Sequence, residues 1–225
     1  MSSIHTFGKR WFDTVKDLAG ITMTAWSNIV LTVSPELPVN SMAELIAYGK
    51  ANKGKLTYAT PGAGSSMHLA GELLNLRTGI NALHVPYKGS GGAYPDVFAG
   101  RVDMLIDPLF ASMVQIRAGR LKPIAVLSTK RDATAPNIPA IGETLPDFDV
   151  RSINGVVVPR ATPRELVEKI SADFEKALKS DQVQKRLRAM GLEPAYMKPD
   201  EFDAYVQSEL KRWGEVVKAA NISIE

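Results

Sequence analysis

The residues best suited to chemistry lie in one short stretch, Tyr58-Ala59-Thr60-Pro61-Gly62-Ala63-Gly64-Ser65-Ser66-Met67-His68-Leu69. A short apolar run enters it. Leu69, Leu73, Leu74 and Leu76 leave it at helical spacing, so it reads as strand, glycine-rich loop, helix. Gly62 and Gly64 allow a tight turn and a close approach of the backbone to a ligand. Ser65 and Ser66 stand where the helix begins, and first-turn amides have no intrahelical acceptor. Such a terminus carries partial positive charge and favours an anion, a carboxylate or a phosphate. A plain serine N-cap after a flexible turn accounts for the same residues. The stretch lacks the Gly-Lys-Ser/Thr of a P-loop and the third glycine of a dinucleotide fingerprint, so no nucleotide cofactor is expected.

Two further places offer polar groups. Val85-Pro86-Tyr87-Lys88-Gly89-Ser90-Gly91-Gly92 follows the next strand-like run. Lys88 there can supply a positive charge and Ser90 a donor; a surface turn with a solvated lysine is the competing reading. Asp107 closes the apolar run Val102–Ile106, where a carboxylate ordinarily caps loop N–H groups. Ser65 or Ser66, His68 and Asp107 include the residue types of a hydrolase triad. The Gly-x-Ser-x-Gly elbow is absent, however, and His68 falls one turn beyond Ser65 on the same helix, so no enzyme is expected. His5 and His84 are isolated, and His84 reads as a satisfied sheet residue. With 0 cysteines and no ligand-like His/Asp/Glu spacing, no metal site is expected.

The elements that must position these groups alternate. Asn28–Val33 reads as a strand. Ser41 and Glu44 form a capping-box pattern for the next helix. Strands follow at Leu56–Ala59, Ala82–Pro86, Val102–Ile106 and Pro123–Leu127, with helices between them closed by Gly79, Gly100 and Gly119. This alternation predicts an α/β fold with a mainly parallel sheet, whose ligand crevice lies at the strand carboxyl ends. Arg131–Phe148 reads as an irregular, proline-rich connection with one short helix. Ser152–Val158 reads as another strand. Thr162 is then the expected N-cap, with Pro163 at N1, of the first of three helices at Glu165–Leu178, Asp181–Met190 and Asp200–Ala220.

The chain has 225 residues, 45% hydrophobic and 23% charged, which excludes a disordered segment; it has no apolar run near the roughly 18 residues of a membrane span. A net charge of +3, with both signs interspersed, gives no nucleic-acid footprint. The first ten residues hold no signal-peptide h-region.

Three motifs in order, Tyr58–Glu72, His84–Gly91 and Tyr94–Asp107, resemble the extracytoplasmic solute-binding receptors of tripartite tricarboxylate transporters, the Bug receptors of TctC type. The resemblance continues through Thr14–Leu18, Lys122–Arg131, Pro159–Pro163 and Arg212–Ala220. It implies a two-lobed, type II-like periplasmic-binding-protein clamshell that captures a small organic carboxylate. The second lobe would be residues 26–149. Residues 1–25 with 150–225 would form a partial first lobe, lacking the family's opening strand, loop and helix, with hinges near Asn28 and Asn154. The ligand-binding residues carried over are Thr60, Pro61, Gly62, Ala63, Gly64, Ser65, Ser66 and His68, with Asp107 at the inner cleft wall and Lys88 and Ser90 as further candidates. Membrane permease subunits are the implied partners and the periplasm the implied location. A homodimer through the incomplete lobe, or a shortened sensing module, is the alternative.

Overall fold

The computed structural model describes residues 13–222, so His5 and the leading ten residues lie outside it. The chain divides into two compact units. One holds residues 28–151 with 218–221; the other holds the described residues of 13–27, 152–217 and 222. After a single turn, α1 (Thr14–Asp17), the strand β1 (Leu18–Val33) belongs to both: its residues up to Ser27 lie in the smaller unit, those from Asn28 in the larger. β1 starts ten residues before the expected Asn28. The polar residues Thr22, Thr24 and Ser27 blur the apolar pattern there, although nearly all of the strand is buried.

In the larger unit, β2 (Thr57–Thr60), β3 (Leu83–Pro86), β4 (Met104–Pro108) and β5 (Lys122–Val126) join β1 in the order β3-β2-β4-β1-β5. β2 runs parallel to β3 and β4, but β1 is antiparallel to both β4 and β5. The expectation of a mainly parallel sheet is therefore corrected to a mixed one. No βαβ crossover links β1 to either neighbour, so nothing imposes parallel pairing on it.

The helices α2 (Met42–Ala51), α3 (Ser66–Thr78), α4 (Ser90–Phe98) and α5 (Leu109–Arg117) connect these strands. At the start of α2, Ser41 Oγ accepts the Glu44 N–H, and the Glu44 carboxylate accepts the N–H of Asn40. The chain leaves β2 for β3 on one side and then returns across β2 to β4. With right-handed crossovers, that reversal puts α3 and α4 on opposite faces of the sheet. The strand's period of two agrees: Tyr58 packs on α3, whereas Ala59 clusters with Ala93 and Val97 of α4. A 3₁₀ turn at Ile141–Glu143 is the short helix of the irregular connection.

In the smaller unit, β1 pairs with β6 (Arg151–Pro159) and with the two-residue β7 (Glu193–Pro194). The helices α6 (Arg164–Leu178), α7 (Asp181–Ala189) and α8 (Pro199–Ala219) complete it. Met23, Phe202 and Val206 form its core cluster. The expected Thr162 cap is corrected: α6 begins at Arg164, so Pro163 stands at the N-cap position with no side chain able to cap, and Thr162 lies one residue earlier in a turn whose N–H bonds the Pro159 carbonyl. Asp200 and Glu168 instead hold the Arg164 guanidinium.

α3 approaches the sheet closely only because Gly71 has no side chain; a β-carbon there would overlap the Tyr58 ring. Gly71→Ala is expected to lower unfolding stability by about 1–3 kcal/mol. Chemical denaturation measures this, and an unchanged midpoint would mean that α3 can move off the sheet freely.

Candidate functional site

Three helices start where the parallel strands β2, β3 and β4 end, so their N-termini leave the same edge of the sheet. α3 is capped by Ser65, whose Oγ accepts the His68 N–H at 3.2 Å and donates to the Gly62 carbonyl at 2.7 Å. The Ser66 and Met67 amides, first in the helix, have no intrahelical acceptor. α4 starts after Gly89 with no side-chain cap, leaving the Ser90 and Gly91 amides in the same condition. Backbone bonds join the two loops: the Tyr87 N–H donates to the Thr60 carbonyl at 3.0 Å and the Gly89 N–H to the Pro61 carbonyl at 2.7 Å. Two positive helix ends therefore sit on adjoining loops at a reversal of strand order, where open α/β sheets bind ligands.

Asp107 anchors this arrangement from below. It is fully buried, and its carboxylate accepts hydrogen bonds from Ser90 Oγ at 2.5 Å, Tyr94 OH at 3.0 Å and Ser112 Oγ at 2.9 Å. The donors are hydroxyls, not the loop N–H groups expected from the sequence. Burial pushes its carboxyl above the usual carboxylate range, and the three hydroxyls pull it back only in part. Tyr94 and Ser112 are the residues that the sequence reading missed. They lie 13 and 5 positions from Asp107, with no motif joining them.

Two histidines support the first loop. The His68 and His84 rings stack at 3.8 Å with 14° between their planes, and Tyr58 also stacks with His84 at 4.9 Å. His68 Nδ1 accepts the Gly64 N–H at 3.1 Å, and His84 Nε2 lies 2.7 Å from Thr60 Oγ1. His84 is thus a partnered sheet residue, as its strand position suggested. Burial holds both rings below the ordinary histidine value: His84 is pushed down to about 3, with His68 adding to the effect, while Glu72 partly opposes the shift at His68.

The residues singled out from sequence therefore fall into two groups. Pro61, Gly62, Ala63, Ser65, Ser66 and Ser90 reach the surface at least in part, and Lys88 is exposed. Thr60, Gly64, His68 and Asp107 are buried and hold the others in place. No hydrolase triad forms: the Ser65 hydroxyl donates to a carbonyl, the His68 ring accepts from Gly64, and Asp107 is occupied by hydroxyls. Among the described residues there is no cluster of three or more His, Asp or Glu able to hold a metal, and no helix long and apolar enough to cross a membrane. The arrangement can hold an anion through main-chain amides; it offers no nucleophile–base pair.

The family model described as "Tripartite tricarboxylate transporter family receptor" matches residues 1–222. A protein of Pseudomonas sp. strain P51, named for the tcbD-tcbE intergenic region, is 35% identical over 204 residues, which is 90% of this chain and 61% of that protein. The solved structure of R. palustris Rpa4515 with adipate is 33% identical with a TM-score of 0.87, covering 99% of this chain and 77% of that one. MatC from Rhodopseudomonas palustris with bound malate is 27% identical with a TM-score of 0.80, covering 96% of this chain and 75% of that one. The chain spans 61–66% of the length of the first curated relatives it matches.

The Asp107 cluster makes a direct test of what fixes the loops. Asp107→Leu leaves three hydroxyls, that of Ser112 buried, without their acceptor and is expected to cost about 2–4 kcal/mol of unfolding stability. Asp107→Asn, which keeps a hydrogen-bonding group and drops the charge, is expected to cost less than about 1 kcal/mol. Urea unfolding of both variants checks this, and equal losses would show that the charge itself does the holding.

Proposed function

Because the chain belongs to the family of tripartite tricarboxylate transporter receptors, we propose that it captures a small organic carboxylate at the loop Thr60–Ser66. One carboxylate oxygen accepts from the Ser66 and Met67 amides at the start of α3. Ser65 and the Ser90–Gly91 end of α4 border the same place, and Lys88 adds a cation at the rim. The observation that carries this reading is the pair of helix N-termini on hydrogen-bonded loops at the end of the parallel strands. The relatives that hold adipate and malate support the ligand class. Members of the family are periplasmic binding proteins, and delivery to membrane permease subunits in that compartment is part of the same proposal.

Main-chain donors cannot be deleted by substitution, but their field can be occupied. Ser66→Asp places a carboxylate at the first position of α3, where it competes with the ligand yet favours the helix. Affinity for adipate or L-malate, read by calorimetry, is expected to fall at least about tenfold, with an unchanged or slightly raised melting temperature. Undiminished binding by a folded Ser66→Asp protein would remove the ligand from this helix end.

A further inference from the structure

We infer that His68 and His84 are positioning residues for the anion loop: two stacked neutral imidazoles hold the backbone of Gly64 and the side chain of Thr60, and thereby aim the first amides of α3. For its effect on affinity this rests on the carboxylate reading above.

The bonding pattern fixes the protonation each ring needs. His68 Nδ1 accepts from Gly64, so in the neutral ring its proton sits on Nε2. Thr60 Oγ1 has one hydrogen and two contacts, the Gly62 carbonyl at 3.2 Å and His84 Nε2 at 2.7 Å; with that hydrogen given to Gly62, a neutral His84 protonated at Nε2 is the donor to Thr60. The Gly62 carbonyl also takes the Ser65 hydroxyl. The chain of contacts therefore runs from one imidazole through Thr60 to Gly62 and the Ser65 cap, and from the other directly to Gly64. Both ends of the loop are tied to one ring stack.

A proton added at His68 Nδ1 would face the Gly64 N–H donor to donor, and that tie would break. The groups around the pair resist such a charge. His84 of β3 lies against one face of the His68 ring, and a second cation at 3.8 Å is unfavourable. Tyr58 of β2 spends its hydroxyl on Glu72 at 2.5 Å. Glu72 of α3 is the one carboxylate that favours a charged His68, and that hydroxyl partly satisfies it. On β4, Asp103 is bonded to Thr57 and Asp107 to its three hydroxyls. Burial disfavours the charge further. His84 borders an open groove of about 540 Å³ with Glu72, Asn75 and Leu83, so water reaches the stack from the His84 side. The sign follows: the loop is held above the ordinary histidine value and is released as pH falls through the lowered value of His68.

The test needs the ligand for only one of its arms. In ¹⁵N NMR of the unliganded wild-type protein, His68 is expected as the Nε2–H tautomer near neutral pH. The Gly64 amide is expected to shift together with His68 protonation as pH falls below the ordinary histidine value. His68→Asn, whose Oδ1 replaces the Nδ1 acceptor, is expected to lose that titration and to bind L-malate or adipate within about threefold of wild type. His68→Leu is expected to bind at least about tenfold more weakly while still folded by circular dichroism. His84→Gln against His84→Leu repeats the comparison at Thr60 should His68→Leu fail to fold. A Gly64 amide indifferent to His68 protonation, or wild-type affinity in the folded leucine variants, overturns the inference. If the wild-type protein binds neither acid, the carboxylate reading fails, and the Gly64 titration alone decides the role of the pair.

Discussion

A carboxylate sealed from water must find hydrogen-bond donors inside the protein, and Asp107 finds three hydroxyls on two helices. Ser90 and Tyr94 come from the first turns of α4 and Ser112 from α5, so one side chain at the end of β4 ties both helices to the sheet. α4 has no capping side chain of its own; the bond from its first residue to Asp107 sets where it starts. Its start in turn fixes Gly89, which donates to Pro61, so the position of the first loop follows from a fully buried group. The cost of burying the carboxylate persists as its raised affinity for a proton.

The features legible in the sequence are the ones encoded locally. A serine before a leucine-spaced run marks the start of α3, and Ser65 does cap it. The repeated Ala-Gly-Arg endings mark the stops of α4 and α5, where Gly100 and Gly119 take positive φ. The loop between strand and helix is likewise written in consecutive residues. What escaped depends on partners distant in sequence. The direction of β1 against β4 and β5 is decided by chain path, which no window of residues contains. The donors to Asp107 are a tyrosine and two serines of ordinary appearance. Thr162 has the ideal type for a helix cap, yet it lies one residue before that position, in a turn whose N–H bonds the Pro159 carbonyl.

The candidate site separates recognition from support. On the proposed reading recognition falls to backbone amides, so a change of side chain in Gly62–Ser66 leaves the donors in place provided that the turn survives. Support falls to Thr60, Gly64, His68 and Asp107, which are buried and chemically particular. A ligand preference would then be set by the few side chains at the rim, Ala63, Lys88 and Ser90 among them, while the ability to hold an anion at all belongs to the framework.

The hydroxyls around Asp107 have a consequence for ionic strength. The anchor's one charge, on Asp107, is out of reach of mobile ions, whereas the open helix ends act through a field that salt screens. Dissolved electrolyte thus divides the molecule along a line that its shape does not reveal. On the proposed reading, capture of an anion weakens in brine, while the buried charge that helps to hold the capturing amides is screened far less.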